Sequence, residues 1–134
     1  MPLAQNVSSG VCSIFFVVSL QESTVHVIPS FVAQGGDPKG NGTGGPGYKF
    51  KNEIAGLTHL AGTLAYANAG PNTNGSQCYI CETPQPGLDS GYTIFGECEP
   101  VDVVKAITAV PTDANDKPIT PVHIKSVKVT RCAP

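Results

Sequence analysis

The 134-residue sequence predicts a mainly β fold, in which short strands joined by tight turns form one domain. Fifteen glycines and twelve prolines are typical of a chain that turns often, and only 13% of the residues are charged. Short apolar runs alternate with segments rich in turn-forming residues, which favours a barrel or sandwich over a helical bundle. A chain of this length buries a sufficient core without a metal or a disulfide.

Strand-like runs begin near residue 31 and recur along the chain. The first, Phe31–Gln34, precedes a loop in which seven glycines and two prolines over thirteen residues exclude regular structure. The later runs are separated by turn-forming segments, and the last run alternates apolar and polar residues. These later predicted strands are Gly62–Tyr66, Gln77–Cys81, Tyr92–Gly96 and Val122–Thr130.

One convincing helix is predicted to begin at Pro100. Proline suits the first position of a helix, and Asp102 adds a favourable negative charge in the first turn. Val101, Val104 and Ile107 then fall on one face at helical spacing. The predicted helix is short, with about two turns.

Residues 1–24 form a divergent segment without lysine, arginine or aspartate, and its role is not evident. Its apolar stretch Val11–Leu20 resembles the centre of a signal peptide but lacks a positive charge before it, and it is too short to span a membrane. We expect residues 25–134 to form the folded domain and to be monomeric. Self-association is expected if the final strand has an open edge, unless Val11–Leu20 covers that edge.

Charge and cysteine content restrict the partners and the compartment. The net charge of −2 argues against a nucleic-acid partner, because such proteins concentrate lysine and arginine on one surface. The only arginine is Arg131. Five cysteines, an odd number scattered along the chain, are typical of a reducing compartment and predict a cytoplasmic location.

Two short motifs suggest cofactor or metal chemistry that their context does not support. Gly40, Gly42 and Gly45 match G-x-G-x-x-G, but a proline follows at once and no helix begins there. Cys78 and Cys81 form C-x-x-C, but on a strand residues three apart point to opposite faces. We therefore expect neither a bound metal nor a cofactor.

A group of aromatic, aliphatic and amide residues without a nucleophile is typical of a ligand pocket. Ordinary core packing explains the aromatic members equally well, so these residue types leave both interpretations open. The group consists of Phe31, Gln34, Asn68, Gln77, Tyr79, Leu88 and Tyr92.

Four segments resemble the cyclophilin family in order and spacing, over about four fifths of the chain. The most specific is the run A-N-A-G-P-N-T-N-G-S-Q at residues 67–77. The four segments are Val27–Pro38, Asn41–Phe50, Gly62–Ile80 and Leu88–Glu97.

The resemblance implies a closed antiparallel β-barrel of about eight strands with one or two short helices. It also implies peptidyl-prolyl cis-trans isomerase activity on proline-containing polypeptides. Phe31, Tyr79 and Leu88 would form the pocket for the proline ring, with Val32 in place of a family methionine and Tyr79 in place of a phenylalanine. Further groove residues would contact the substrate backbone, and these are Gln34, Ala67, Asn68, Ala69, Thr73, Gln77 and Tyr92.

The sequence departs from the family at two places. The family pattern Phe-His-Arg precedes the Val-Ile-Pro string, whereas this chain reads Thr24-Val25-His26. Either His26 replaces the arginine or it is the family histidine beside a one-residue deletion. Residues 1–24 do not match the opening strands and first helix of the family, which leaves the completeness of the barrel open.

The predicted function is an isomerase that accelerates rotation about Xaa-Pro bonds during protein folding. The predicted catalytic residues are Phe31, Gln34 and His26, the last as a weak substitute for the missing arginine. We expect reduced activity because a preorganised donor is lost. Two alternatives remain open, a proline-peptide binding module without catalysis and a truncated cyclophilin without function.

Overall fold

The computed structural model describes the backbone of residues 2–4, 11–24 and 26–131, and the side chains of residues 26–123. Within these residues it contains eight β-strands, one α-helix and one 3₁₀ turn. The strands are β1 (Pro2–Ala4), β2 (Val11–Thr24), β3 (His26–Ile28), β4 (Val32–Gly35), β5 (Thr63–Tyr66), β6 (Cys78–Cys81), β7 (Ile94–Glu97) and β8 (His123–Arg131). The helix α1 is Val101–Thr108, and the 3₁₀ turn is Pro86–Leu88.

The strands pair antiparallel and form two sheets. One sheet has the order β1-β2-β8, and the other has the order β3-β4-β6-β5-β7. The prediction of a mainly β antiparallel fold with one or two short helices is therefore confirmed. Closure of the two sheets into one barrel stays a prediction.

The N-terminal segment contributes β1 and β2. Strand β2 pairs with β8 from Val11 opposite Arg131 to Ser19 opposite His123. The apolar stretch Val11–Leu20 thus lies along the final strand, in agreement with the expectation that it covers an edge of that strand. The domain boundary near residue 25 and the oligomeric state stay predictions.

The register of β4, β6 and β5 sorts their side chains onto two faces of the larger sheet. Gln34 lies opposite Tyr79, and Tyr79 also lies opposite Ala65. Directly paired residues project to the same side, whereas successive residues alternate. The pocket face consists of Val32, Gln34, Ala65, Tyr79 and Cys81, and the helix face consists of Ala33, Leu64, Cys78 and Ile80.

Helix α1 packs against the helix face. It begins at Val101, one residue after the predicted start at Pro100, and its eight residues make about the two turns predicted. Val104 is fully buried and packs in one cluster with Leu64 and Cys98. Among the described residues, none of the helical segments has the length and hydropathy of a membrane span.

We predict that Leu64→Ala lowers the free energy of unfolding by about 2–5 kcal/mol, because Leu64 is fully buried and its truncation leaves a cavity under α1. Leu60→Ala is the matched control, because Leu60 is 56% exposed and its loss is expected to change stability by no more than about 0.5 kcal/mol. Urea denaturation of both variants measures the difference. Equal effects of the two substitutions would contradict the assignment of the core.

Candidate functional site

A pocket of about 130 Å³ opens beside the pocket face of the sheet. Two strands, three loops and the 3₁₀ turn contribute its walls, so it forms only in the folded chain. All eight lining residues belong to the set predicted from the sequence. They are Phe31, Val32, Gln34, Ala67, Asn68, Tyr79, Leu88 and Tyr92.

The walls of this small pocket are held by ring contacts and by a hydrogen bond between loops. The Tyr79 and Tyr92 rings meet edge to face, with centroids 5.7 Å apart and planes at 82°. Asn68 donates from Nδ2 to the carbonyl oxygen of Gly91 at 3.0 Å. Because Gly91 precedes Tyr92, this bond joins the loop after β5 to the segment that carries the second ring.

A larger groove of about 940 Å³ adjoins the small pocket and shares Gln34, Ala67 and Asn68 with it. The other predicted residues that line the groove are Ala69, Thr73 and Gln77. Its remaining walls come largely from the glycine-rich loop, residues 36–47, and from residues 48 and 49. The sequence-based set did not include this loop as part of the site.

Two glutamines connect the small pocket to the glycine-rich loop. Gln34 donates from Nε2 to Gln77 Oε1 at 3.0 Å. Gln77 donates from Nε2 to the carbonyl oxygens of Gly42, at 3.1 Å, and Gly44, at 2.8 Å. Both amides are thereby oriented by the fold, and the loop is held against the sheet.

Thr73 orders the turn that forms another wall of the groove. Its Oγ1 accepts a hydrogen bond from the Ala69 backbone N–H at 2.9 Å and donates to the Gly70 carbonyl at 2.7 Å. Gly70 has a φ of 121°, a backbone conformation that favours glycine. The turn therefore presents Ala69 and Thr73 to the groove in one arrangement.

Asp37 organises the glycine-rich loop from inside. Its side chain is 2% exposed, and its carboxylate accepts hydrogen bonds from the backbone N–H groups of Lys39 and Asn41, each at 2.8 Å, and of Gly42 at 2.5 Å. Burial raises the pKa of Asp37, but these hydrogen bonds outweigh burial and bring the pKa below its ordinary value. The charged carboxylate is thus the form that the folded loop favours.

His26 lies next to the site but lines neither cavity. It begins β3 directly opposite Gln34, so its side chain projects on the pocket face. The pKa of Asp113 is lowered mainly by hydrogen bonds from the Asn115 and Lys117 backbone, with a smaller contribution from the charge of His26. Asp113, in the loop that precedes β8, is therefore near enough to interact electrostatically with His26.

The two short motifs have structural roles. The thiols of Cys78 and Cys81 pack in different clusters, and burial raises the pKa of each to about 11, which disfavours the reactive thiolate. Gly40 and Gly42 have φ angles of 63° and 85°, as the interpretation of a turn-forming loop requires. Within residues 26–123, no group of histidine, cysteine and acidic side chains is arranged to hold a metal.

Three polar residues beside the site were absent from the sequence-based set, namely Asp37, His59 and Asp89. The position of Asp37 at the start of a run of glycines was an available signal, because a carboxylate often accepts hydrogen bonds from nearby backbone N–H groups in turns. His59 and Asp89 lie thirty residues apart in loops, and no periodic pattern links them.

The comparisons with known proteins agree on one family. The model of the cyclophilin type peptidyl-prolyl cis-trans isomerase family matches residues 18–129. A peptidyl-prolyl cis-trans isomerase of Synechococcus elongatus is 54% identical over 84 residues, which are 63% of this chain and 58% of the relative. One of Arabidopsis thaliana is 50% identical over 109 residues, 77% of this chain and 66% of the relative. The chain thus spans less than two thirds of the length of these two relatives.

A solved structure is similar over nearly the whole chain. It is the crystal structure of a Cryptosporidium parvum cyclophilin type peptidyl-prolyl cis-trans isomerase in the presence of the dipeptide Ala-Pro. The two proteins are 27% identical with a TM-score of 0.78, over 98% of this chain and all of the other. The fold of the described sheets is therefore shared with this structure.

We predict that Asp37→Asn lowers the free energy of unfolding at pH 7 by about 1–3 kcal/mol, because the amide nitrogen cannot accept the backbone N–H bonds that the carboxylate accepts. A carboxyl group with a lowered folded pKa stabilises the fold above its unfolded pKa and loses that contribution as the pH falls through the folded pKa. The difference between parent and variant should therefore shrink as the pH falls below about 4. Urea denaturation at several pH values measures it, and a pH-independent difference would contradict the role of the charge.

Proposed function

Since this chain belongs to the cyclophilin type peptidyl-prolyl cis-trans isomerase family, we propose that it accelerates rotation about Xaa-Pro bonds in polypeptides. The proline ring enters the small pocket, and the flanking backbone lies along the groove that carries Ala69, Thr73 and Gln77. The Ala-Pro dipeptide that accompanies the similar Cryptosporidium structure supports a proline-containing ligand for this chain.

The observation that carries the proposal is the composition and size of the small pocket. Phe31, Val32, Tyr79, Leu88 and Tyr92 supply aromatic and aliphatic walls. Its volume of about 130 Å³ is small beside the adjoining groove of about 940 Å³, which favours one compact ring as its occupant. An apolar wall with a few placed amides is typical of sites that hold a ring and orient its polar neighbours.

Rotation of this bond needs neither a nucleophile nor an acid-base pair. The barrier of roughly 18–20 kcal/mol arises from amide resonance, which is lost when the bond twists. A site lowers the barrier when it binds the twisted amide more strongly than the planar one. Anchoring the ring while the preceding backbone turns, with a donor directed at the twisted amide, has this effect.

His26 is the donor in the proposed mechanism. Its position opposite Gln34 on the pocket face supports this role. A neutral imidazole is a weaker donor than a guanidinium, which is charged at all relevant pH values and presents five N–H groups. We therefore propose that the chain catalyses rotation more slowly than a relative that has arginine at this position.

A second candidate function is supported by the scarcity of arginine. The only arginine, Arg131, ends β8, which belongs to the other sheet. If His26 contributes nothing, the chain is a proline-peptide binding module without useful catalysis. In either case the proposed partners are proline-containing polypeptides, and the proposed location is the cytoplasm, which the unpaired thiols of Cys78 and Cys81 support.

We predict that the purified, folded protein binds an Ala-Pro-containing tetrapeptide and accelerates its isomerisation, and that Phe31→Ala weakens both by removing an apolar wall. NMR titration measures affinity, and exchange spectroscopy of the two isomers measures rate. Binding without acceleration would favour the binding module. Absence of both in a folded protein would overturn the proposed function.

We also predict that His26→Arg raises the isomerisation rate at pH 7.5 by an order of magnitude or more, since loss of one preorganised donor costs roughly 10²–10³ in rate elsewhere. Peptide affinity should change little, because residue 26 lines neither cavity. If the parent and His26→Arg bind the peptide equally well and isomerise it at the same rate, residue 26 does not act on the amide.

A further inference from the structure

A chain of hydrogen bonds runs behind the small pocket and connects Tyr79 to His59 and Asp89, two side chains that the mechanism above does not use. His59 Nδ1 lies 2.7 Å from Asp89 Oδ1, and His59 Nε2 lies 2.9 Å from the Tyr79 hydroxyl. The backbone N–H of His59 also donates to Asp89 Oδ1, at 2.8 Å. His59 is fully buried, and Tyr79 is only 4% exposed.

The hydrogen-bond partners of His59 determine which imidazole nitrogen carries a proton. A carboxylate only accepts hydrogen bonds, and the hydrogen bonds from His59 lower the pKa of Asp89, so the Nδ1 atom of His59 must carry the proton. In the neutral imidazole Nε2 then has a lone pair, and it accepts the hydrogen of the Tyr79 hydroxyl. The tyrosine hydroxyl is thereby satisfied on the side of His59.

The same residues restrict the Tyr79 ring on two sides. The His59 ring is stacked nearly parallel to it, with centroids 5.9 Å apart and planes at 14°. The Tyr92 ring meets it edge to face on another side. Stacking and the hydroxyl hydrogen bond together restrict the orientation of the Tyr79 ring, and that ring lines the pocket.

His59 also holds the 3₁₀ turn that carries Leu88, another residue of the pocket wall. Its carbonyl accepts a hydrogen bond from the Gln85 backbone N–H at 2.9 Å, immediately before the turn. Asp89, which accepts two hydrogen bonds from His59, immediately follows the turn. His59 therefore connects both ends of this turn to Tyr79 on β6.

We propose that His59 is a positioning residue of the proline pocket, an inference that rests on the proposed function. With Asp89 it sets the orientation of Tyr79 and the position of Leu88. Its imidazole also forms a hydrogen bond with the tyrosine hydroxyl, so that the pocket presents an apolar wall. An unpaired buried hydroxyl would be costly in an apolar pocket and would favour other ring orientations. His59 does not touch the substrate itself, because it is not among the residues that line the pocket.

Three variants separate the two hydrogen bonds of the imidazole. In His59→Asn the amide retains a donor near the position of Nδ1 but does not reach Tyr79. In His59→Gln the longer side chain places its amide near the position of Nε2 and retains the contact with Tyr79. Tyr79→Phe removes the hydroxyl and leaves the ring.

We expect His59→Asn and Tyr79→Phe to raise the Kd for an Ala-Pro-containing tetrapeptide by roughly three- to tenfold, in line with the loss of one hydrogen bond. His59→Gln should bind within about twofold of the parent. The double variant with His59→Asn and Tyr79→Phe should bind no more weakly than either single variant, because both changes break the same bond. Val104→Ala is the control for general destabilisation, since Val104 lies on α1, is fully buried against Leu64 and does not line the pocket. It should lower the melting temperature without changing the Kd.

A spectroscopic measurement distinguishes positioning from a purely structural role. Peptide titration of the ¹⁵N-histidine-labelled parent should shift the His59 imidazole signals with the same Kd as the pocket residues, because Tyr79 transmits the change. Tyr79→Phe should abolish this response. Suppose that the parent binds peptide but all three variants have the Kd of the parent, or that the His59 signals do not shift. Either result would overturn this inference and leave the proposed function intact. A folded parent that binds no peptide would overturn the proposed function and the inference that rests on it.

Discussion

The pairing of β6 with β4 on one side and β5 on the other is the constraint on which the site depends. It places Tyr79 between Gln34 and Ala65 on one face, and it places Ile80 between Ala33 and Leu64 on the other. Because side chains alternate along a strand, a shift of one residue in either pairing would exchange the pocket face for the helix face. Burial of Leu64 against Val104 of α1 stabilises the observed register, so the core fixes which residues reach the pocket.

Buried polar side chains determine how the loops meet this sheet. Asp37 binds the N–H groups of the glycine-rich loop, and His59 with Asp89 holds the turn before Tyr92. Both arrangements lie where the backbone has no strand partner to satisfy its hydrogen-bonding groups. A buried donor or acceptor that loses its partner costs about 1–3 kcal/mol, and each of these loops has one arrangement that avoids this cost. The loops that line the cavities are thus ordered by polar contacts, whereas the strands are ordered by apolar burial.

Local pattern was sufficient to predict the strands from β4 to β8 and the helix at Pro100, with ends displaced by one or two residues. Strand β3, only three residues long, gave no such signal. The pocket residues were identified by resemblance, because residue type alone did not distinguish a pocket from a core. His59 and Asp89 were missed because they lie in two loops that come together only in the folded chain. A contact of this kind produces no periodic pattern in the sequence. Strand β2 was missed because its partner β8 lies about a hundred residues away.

In the proposed mechanism, affinity and rate depend on different parts of the sheet. The pocket walls include residues from the interior strands β4 and β6, which are fixed by neighbours on both sides. The proposed donor, His26, lies on β3 at the edge of the sheet, where β4 is the one neighbour among the described strands. The carbonyl oxygen of Asp116, in a loop, accepts the Val27 N–H. A substitution at an edge position disturbs few packed side chains, so the fold tolerates histidine there at little cost in stability. In the proposed mechanism, histidine in place of arginine at this position is therefore compatible with an intact pocket. Because affinity and rate then depend on different strands, binding and catalysis must be measured independently in this protein.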